Sequence, residues 1–252
     1  MQGDGLFRRV AEELKGAISI ARKDVRIYYM QPPVIMFGFV FPGFTYLAFT
    51  VGRSLDPVAL IPGLAAITAF FAGGSIGPAV LPLERKTKTL ERLLGAPLSP
   101  FAIILGKTLS GATFGLIMSL VPLLIGVALL GMQITAPLLL AAGAALSALT
   151  FGAFGTLFAA RAEEIPSAMM PMNLLRFPML FISGVFTPLA AMPGFLQSIA
   201  YLMPLTYGVD VMRQTVLGSL EPLALLADFG ALSLFLILFL SAATLALRRD
   251  TR

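Results

Sequence analysis

The chain has 252 residues, 58% of them hydrophobic and only 12% charged, with 18 Lys and Arg against 13 Asp and Glu. Soluble globular proteins carry about 25% charged residues, and a soluble fold here would have to bury several charge-free runs of twenty or more residues, so the composition points to a membrane protein. Cysteine and histidine are absent, which removes disulfides, thiolate nucleophiles, Cys/His metal sites and histidine general bases.

Residues 1–31 hold six Lys and Arg but no continuous apolar stretch of the kind a secretory signal needs. Phe7, Val10, Leu14, Ile18, Ala21, Val25 and Tyr28 recur at steps of three and four, while Arg8, Arg9, Glu12, Lys15, Arg22, Lys23 and Arg26 fill most other faces. This spacing predicts an amphipathic helix lying in the headgroup plane; a soluble helix packed on a partner would show the same period. Tyr28 and Tyr29 fall at the interface, and Pro32-Pro33 turns the chain into the membrane.

A transmembrane helix needs about 20 apolar residues. Residues 34–52 supply the first span and 58–83 the second. Fifty-three uncharged residues between Lys107 and Arg161 hold two more, with 131–137 as the turn. A fifth occupies 165–187, interrupted by Arg176 and Pro178, and Phe229 to Leu247 is the sixth. The stretch 188–222 is long and apolar, yet too rich in Pro and Gly at its start to cross, so it reads as a re-entrant or surface-lying pair of helices on the outer side. With the N-terminus inside, the cytoplasmic side holds six Lys and Arg before Pro32, five from Arg85 to Lys107, Arg161, and three in the tail, against Arg53 and Arg213 outside. Both termini are therefore expected in the cytoplasm. The basic residues sit beside spans rather than on one face, which disfavours nucleic-acid binding. No internal repeat appears, and residues 1–252 read as one all-α membrane domain.

The segment between the second and third spans is unlike a plain connector. Leu83, Thr87, Leu90 and Leu94 share one helical face, and Glu84, Lys88 and Arg92 follow at intervals of four. Gly95-Ala96-Pro97 stops that helix, and Ser99-Pro100 has the form of an N-cap and first-turn pair opening the third span. The tetrad Leu105-Gly106-Lys107-Thr108 is not a phosphate loop, because Phe101 stands where the first glycine belongs and no strand precedes it.

From Glu84 to Lys107 the chain reads E-R-x-x-x-T-L-E-R-L-L-x-x-P-L-S-P-x-x-I-x-L-G-K, and from Pro204 to Arg213 it reads P-L-T-Y-x-x-D-x-x-R. In these motifs, their order and the chain length, the sequence resembles the type-2 ABC exporter permeases of prokaryotes, the membrane subunits of drug and polysaccharide exporters. The resemblance implies six spans in the plasma membrane, an N-terminal interfacial helix, a re-entrant outer segment before the sixth span, and a second copy of the chain as partner. It also implies that 84–100 is a coupling helix docking on a separate ATPase subunit, through Glu84, Arg85, Lys88, Leu90, Glu91, Arg92 and Leu94. ATP and Mg would then be used by that partner, with no cofactor bound by this chain and no enzymatic activity of its own.

Asn173 and Arg176 lie deep in the fifth span, one turn apart, and are candidates for the transport pathway; the alternative for Arg176 is a bond to a carbonyl or polar side chain. Tyr207, Asp210 and Arg213 mark the outer motif, with an Asp210–Arg213 ion pair expected from their spacing. An ion-coupled secondary transporter is the competing reading, and it would call for carboxylates well inside the spans.

Overall fold

The computed structural model describes residues 2–29 and 57–250, with positions 32, 36, 40, 44, 47 and 48 between them. The first expected span and Arg53 lie outside the described residues, apart from those isolated positions. Among the described residues there are nine α-helices and no strand: α1 Gln2–Tyr28, α2 Pro57–Lys86, α3 Thr89–Leu94, α4 Pro100–Leu130, α5 Pro137–Ala159, α6 Ile165–Ile182, α7 Gly194–Ala200, α8 Pro204–Leu217 and α9 Pro222–Asp250. Five of these, α2, α4, α5, α6 and α9, are long and apolar enough to cross a membrane. They run alternately up and down, so that α3 and the α5–α6 turn share one end while 131–136 and the C-terminus of α8 meet at the other.

Several elements follow from local chemistry. Pro100 and Pro137 sit in the first turns of α4 and α5, where a missing N–H costs nothing. Ser99 caps α4, its Oγ accepting from the Ala102 amide at 3.2 Å. Gly131 closes α4 and Gly218 closes α8 in the left-handed conformation that glycine adopts without strain. Two boundaries differ from the sequence reading. The second span runs on to Lys86, and α9 begins at Pro222, seven residues before Phe229. In both cases charged residues read as lying outside the span, Glu84 to Lys86 on the docking helix and Asp228 in a loop, are carried inside a long helix and meet partners elsewhere in the fold.

α2 is the central helix, 94% of its most apolar window being buried, whereas the corresponding window of α9 is 17% buried and turns outward. Close approach of small residues sets the core. A Cβ on Gly111 would lie 2.5 Å from the Gly73 carbonyl oxygen, and one on Gly155 only 1.9 Å from that of Gly74. The backbones of α2, α4 and α5 therefore touch, the geometry that small residues permit in membranes, and the GATFG stretch at 111–115 is part of it. Around this contact pack Phe70, Phe71, Phe151 and Phe154, with Phe70 meeting Phe151 at 4.9 Å between ring centroids.

α1 lies along α4 at the α3 end. Ala17, Ile20 and Ala21 are buried, and the Ala17 carbonyl would be 2.8 Å from a Cβ on Gly106. Leu14 and Ile18 stay about half exposed on another face. α1 thus packs on its own chain through Ala17, Ile20 and Ala21, of which only Ala21 belongs to the expected apolar face, while Leu14 and Ile18 of that face point outward. Tyr29 ends it by donating to the Ser110 carbonyl at 2.9 Å and stacking against Phe114. The 188–222 segment contains the helix pair α7 and α8; α8 buries Leu205, Val209, Val211, Met212 and Val216 in the body of the protein.

Candidate functional site

The 84–94 stretch is not one helix. Lys88 adopts a left-handed backbone, φ 57°, which ends α2 and re-aims the chain into α3. The intervals-of-four pattern of Glu84, Lys88 and Arg92 is therefore broken, and the expected Glu84–Lys88 pairing is replaced by contacts across the fold. Within α3, Leu90 is buried in one apolar cluster with Ile20, Leu81, Ile103 and Leu247, so the leucine face seen in the sequence anchors α3 to its own chain. Lys88, Glu91 and Arg92 are exposed, and Leu93 and Leu94 half-buried. The short helix presents charge outward on an apolar footing.

Its roots are fixed by polar contacts. Arg85, at the end of α2, donates to the Ala160 carbonyl, and Lys86 pairs with Glu164 at 3.1 Å, joining that end to the α5–α6 turn. On the other side Glu13 of α1 accepts from the Ser99 amide at 3.2 Å and from its hydroxyl.

Glu84 itself is fully buried, together with Asp24 of α1 and Lys107 of α4. Lys107 Nζ lies 2.6 Å from Glu84 Oε2, and 2.9 and 3.2 Å from the two Asp24 oxygens. Lys23 Nζ completes the ring, 3.0 Å from Asp24 Oδ1 and bonded to Glu84 Oε1. Two cations and two carboxylates balance, which is the condition for holding charge away from water, since a buried ion without its partner costs several kcal/mol. Burial pushes the Asp24 carboxyl above its ordinary value against the pull of Lys107 and Lys23. Lys23 feels burial in the opposite sense, but its hydrogen bond to Glu84 and the charges of Asp24 and Glu84 leave it above the usual lysine value. The sequence reading placed Glu84 on the docking helix and passed over Asp24 and Lys107 as partners. Their signal was present in two charges standing at span ends and one acid in a basic helix, but their separations of 61 and 83 residues hid the pairing.

The two deep residues of α6 part company. Arg176 is fully buried, its guanidinium 5.1 and 4.7 Å from the centroids of Phe70 and Phe71, donating to Ser75 Oγ and Met172 Sδ, each at 3.2 Å. Gly74 leaves the room it needs, for a Cβ there would lie 2.3 Å from Nη2. Arg176 thus meets a polar side chain and two aromatic faces and reaches no open channel in this conformation. Asn173 is half-buried, with Oδ1 buried and without a hydrogen bond. Residues 73–77 read G-G-S-I-G, a match to the serine-nucleophile pattern, but they form mid-α2 helix and Ser75 is tied to the Phe71 carbonyl and Arg176. The strained strand-to-helix turn that such a nucleophile requires is missing from this stretch.

At the opposite end Tyr207 donates to the Tyr201 carbonyl, and burial raises its hydroxyl above the ordinary value. Arg213 does not close the expected ion pair with Asp210. It donates instead to the carbonyls of Gly184 at 2.8 Å and Val185 at 3.3 Å, pinning the chain that leaves α6. Burial lowers Arg213 from its usual value, with Asp210 opposing. Asp210 faces Gln214, whose amide reaches it at 3.0 Å and Asp228 of α9 at 3.4 Å. Asp228 is buried. The sequence reading placed it outside the last span, and the longer α9 brings this carboxylate into a membrane-length helix.

A family model for the ABC-2 type transporter matches residues 18–217. The inner membrane transport permease YadH of Escherichia coli K12 is 24% identical over 197 residues, covering 78% of this chain and 73% of that protein. Nodulation protein J of Rhizobium leguminosarum bv. viciae is 28% identical over 232 residues, covering 81% and 88%. The inner membrane transport permease YhhJ of E. coli K12 is 31% identical over 132 residues, 52% of this chain and 35% of that protein.

Proposed function

The chain belongs to the ABC-2 type transporter family, and from that membership we propose that it is the permease subunit of an ATP-driven exporter whose ATPase is a separate chain. It is a multi-pass protein of the inner membrane and a transport permease. The observation that carries the finer reading is α3, a short helix seated by Leu90, stopped at both ends, and offering Lys88, Glu91 and Arg92 to a partner. ATP-driven closure of the motor subunits would press on this helix, and the anchored roots would pass the displacement to α2 and α4. Glu84, Leu90 and Leu94 then serve coupling by seating α3, and Lys88, Glu91 and Arg92 by touching the motor. ATP and Mg are used on the motor's side. Leu105–Thr108 is helix here, with Lys107 committed to two carboxylates.

In this reading the α3 end and both termini face the cytoplasm, α7 and α8 form the outer re-entrant segment, and residues 34–52 supply a sixth span. A second copy completes the route. The exposed apolar side chains of α6, Met170, Leu174 and Phe181, supply a surface for it or for lipid. Asn173, beside them, is the better pathway candidate of the two deep polar residues.

Mild detergent extraction of the tagged chain tests this reading. An ATPase recovered in fixed ratio, and lost on replacing Glu91 and Arg92 by charges of opposite sign, is the expected result. Transport driven by an ion gradient without ATP would instead favour the secondary-transporter reading, to which buried Asp228 lends its one structural argument.

A further inference from the structure

We propose that Asp210, Gln214 and Asp228 form a proton-dependent clasp that fastens α8 to the last span, α9, and lets go when the medium on that side turns alkaline. The clasp stands on its own geometry; that its side is the outside rests on the orientation proposed above.

The seam it closes is apolar. Val211 of α8 is buried with Leu225 and Leu232 of α9, and Tyr207 and Phe229 pack against them. Asp228 stands between Leu225 and Leu232, one turn from each, and is only 6% exposed, as is Gln214. Gln214 is oriented by the Glu221 amide, from which its Oε1 accepts at 3.0 Å. Its Nε2 is left to donate to both acids, Asp210 at 3.0 Å and Asp228 at 3.4 Å. The two acids are also hydrogen-bonded to each other. Carboxylates only accept, so that contact lasts only while one of the pair carries a proton.

Among the described residues no cation takes the proton's place. Arg213 is the only Lys or Arg of α8, and its Nη2 is given to the Gly184 and Val185 carbonyls. Tyr207 donates to the Tyr201 carbonyl. α5, which packs on both helices, has no ionisable side chain. The charges of α2 and α4, Glu84, Arg85, Lys86 and Lys107, lie at the α3 end, as do Arg248 and Arg249 of α9. Arg176 of α6 is bound to Ser75 and Met172. Glu221, exposed at the mouth, adds only a further negative charge. Loss of the proton therefore leaves two like charges in a seam without a counter-ion, an arrangement relieved only by water. Asp228 lies about 9 Å along α9 from Pro222, six residues at 1.5 Å each, so a small parting of the helices admits that water.

The chain has neither cysteine nor histidine. Between about pH 5 and about pH 9 its ordinary side chains are therefore silent, a solvated aspartate titrating at about 3.9. Leu225→Cys places a thiol in the seam, and Leu223→Cys places one at an exposed site two residues away. The ratio of their labelling rates with a charged, impermeant maleimide reads opening, with the thiol's own titration divided out. In the purified permease the ratio should rise with pH, by up to tenfold per unit, the limit for one proton. With Asp228→Asn or Asp210→Asn added, each a neutral side chain that still hydrogen-bonds, it should stay at its low-pH value throughout. Melting should agree without any probe, falling with pH in the native chain and staying level in the Asn variants. A native ratio and melting temperature that ignore pH, or an equal response in the Asn variants, overturn the clasp; if Asp228→Asn yields no folded protein, half-buried Asp210→Asn decides. In intact cells the Leu223→Cys reference should label from the medium. Its failure to do so overturns the outward orientation alone, and the purified permease still decides the clasp.

Discussion

A single methyl at Gly155 tests whether backbone contact between α2 and α5 holds the core. The added Cβ would stand 1.9 Å from the Gly74 carbonyl oxygen, 2.6 Å from its carbon and 2.8 Å from its Cα. All three are backbone atoms, so no rotamer change relieves the clash. Restoring a contact of about 3.5 Å requires the helices to part by roughly 1.6 Å. That separation would also loosen the seat of Arg176, which leans on Gly74. Overpacking of this kind costs about 1–3 kcal/mol and sometimes more, and the rigid opponent places Gly155→Ala at the upper end. For a chain of this size about 3 kcal/mol corresponds to a fall of roughly 6–12 °C in melting temperature. The assay is residual monodisperse protein after stepwise heating in detergent, read by size exclusion. Gly230→Ala is the control, since nothing beyond the adjoining backbone of its own helix lies within 4 Å of its Cβ position, and it should melt unchanged or slightly higher because alanine favours helix. A Gly155→Ala protein melting within about 2 °C of the parent would refute the close-contact argument, given the expected scale.

Leu90→Asp should destabilise the isolated permease, because it buries a carboxylate among Ile20, Leu81 and Ile103, whereas Arg92→Glu should leave melting unchanged and weaken ATPase capture; melting and pull-down together check this. Arg176→Met should melt within about 1 kcal/mol of the parent, since a buried ion exchanged for an apolar group of similar volume is often neutral, and unaltered substrate-stimulated ATP turnover would make Arg176 purely structural. Arg213→Gln removes the donor to the Gly184 and Val185 carbonyls, an expected loss of about 1–3 kcal/mol seen as earlier melting and faster proteolysis between α6 and α7. Asp228→Asn keeps an acceptor for Gln214 and relieves the crowding of two carboxyl groups on one amide, so it should raise the melting temperature, two carboxyls at close range being unable to ionise together without cost.

Much of this architecture is legible in the sequence because it rests on composition and on nearest neighbours. Apolar length reveals α4, α5 and α6, Ser99-Pro100 marks the start of α4, and Pro and Gly in 188–222 announce short helices rather than a span. Where the reading failed, the deciding partner was far along the chain. Glu84 looks like an outward charge of the docking helix until Lys107 and Lys23 are placed beside it, and Asp228 looks like a loop acid until Gln214 is. The Asp210–Arg213 spacing suited an ion pair, but carbonyls released by the turn after α6 claimed the guanidinium first. Leu90 was correctly assigned to an apolar face, yet periodicity cannot tell whether such a face meets its own chain or another.

The ring of Lys23, Asp24, Glu84 and Lys107 also imposes an order on biogenesis. Asp24 leaves the ribosome 83 residues before Lys107, so while α2 is being inserted α1 has no charge partner on α4. During that interval it must wait in an aqueous or headgroup environment, which its arginines and lysines suit. Docking of α1 can be completed only when α4 has entered the membrane deeply enough to bring Lys107 to its level. α1, made before α2 and α4, is thus seated after them, and its charges act as a latch on the finished packing of α2 against α4.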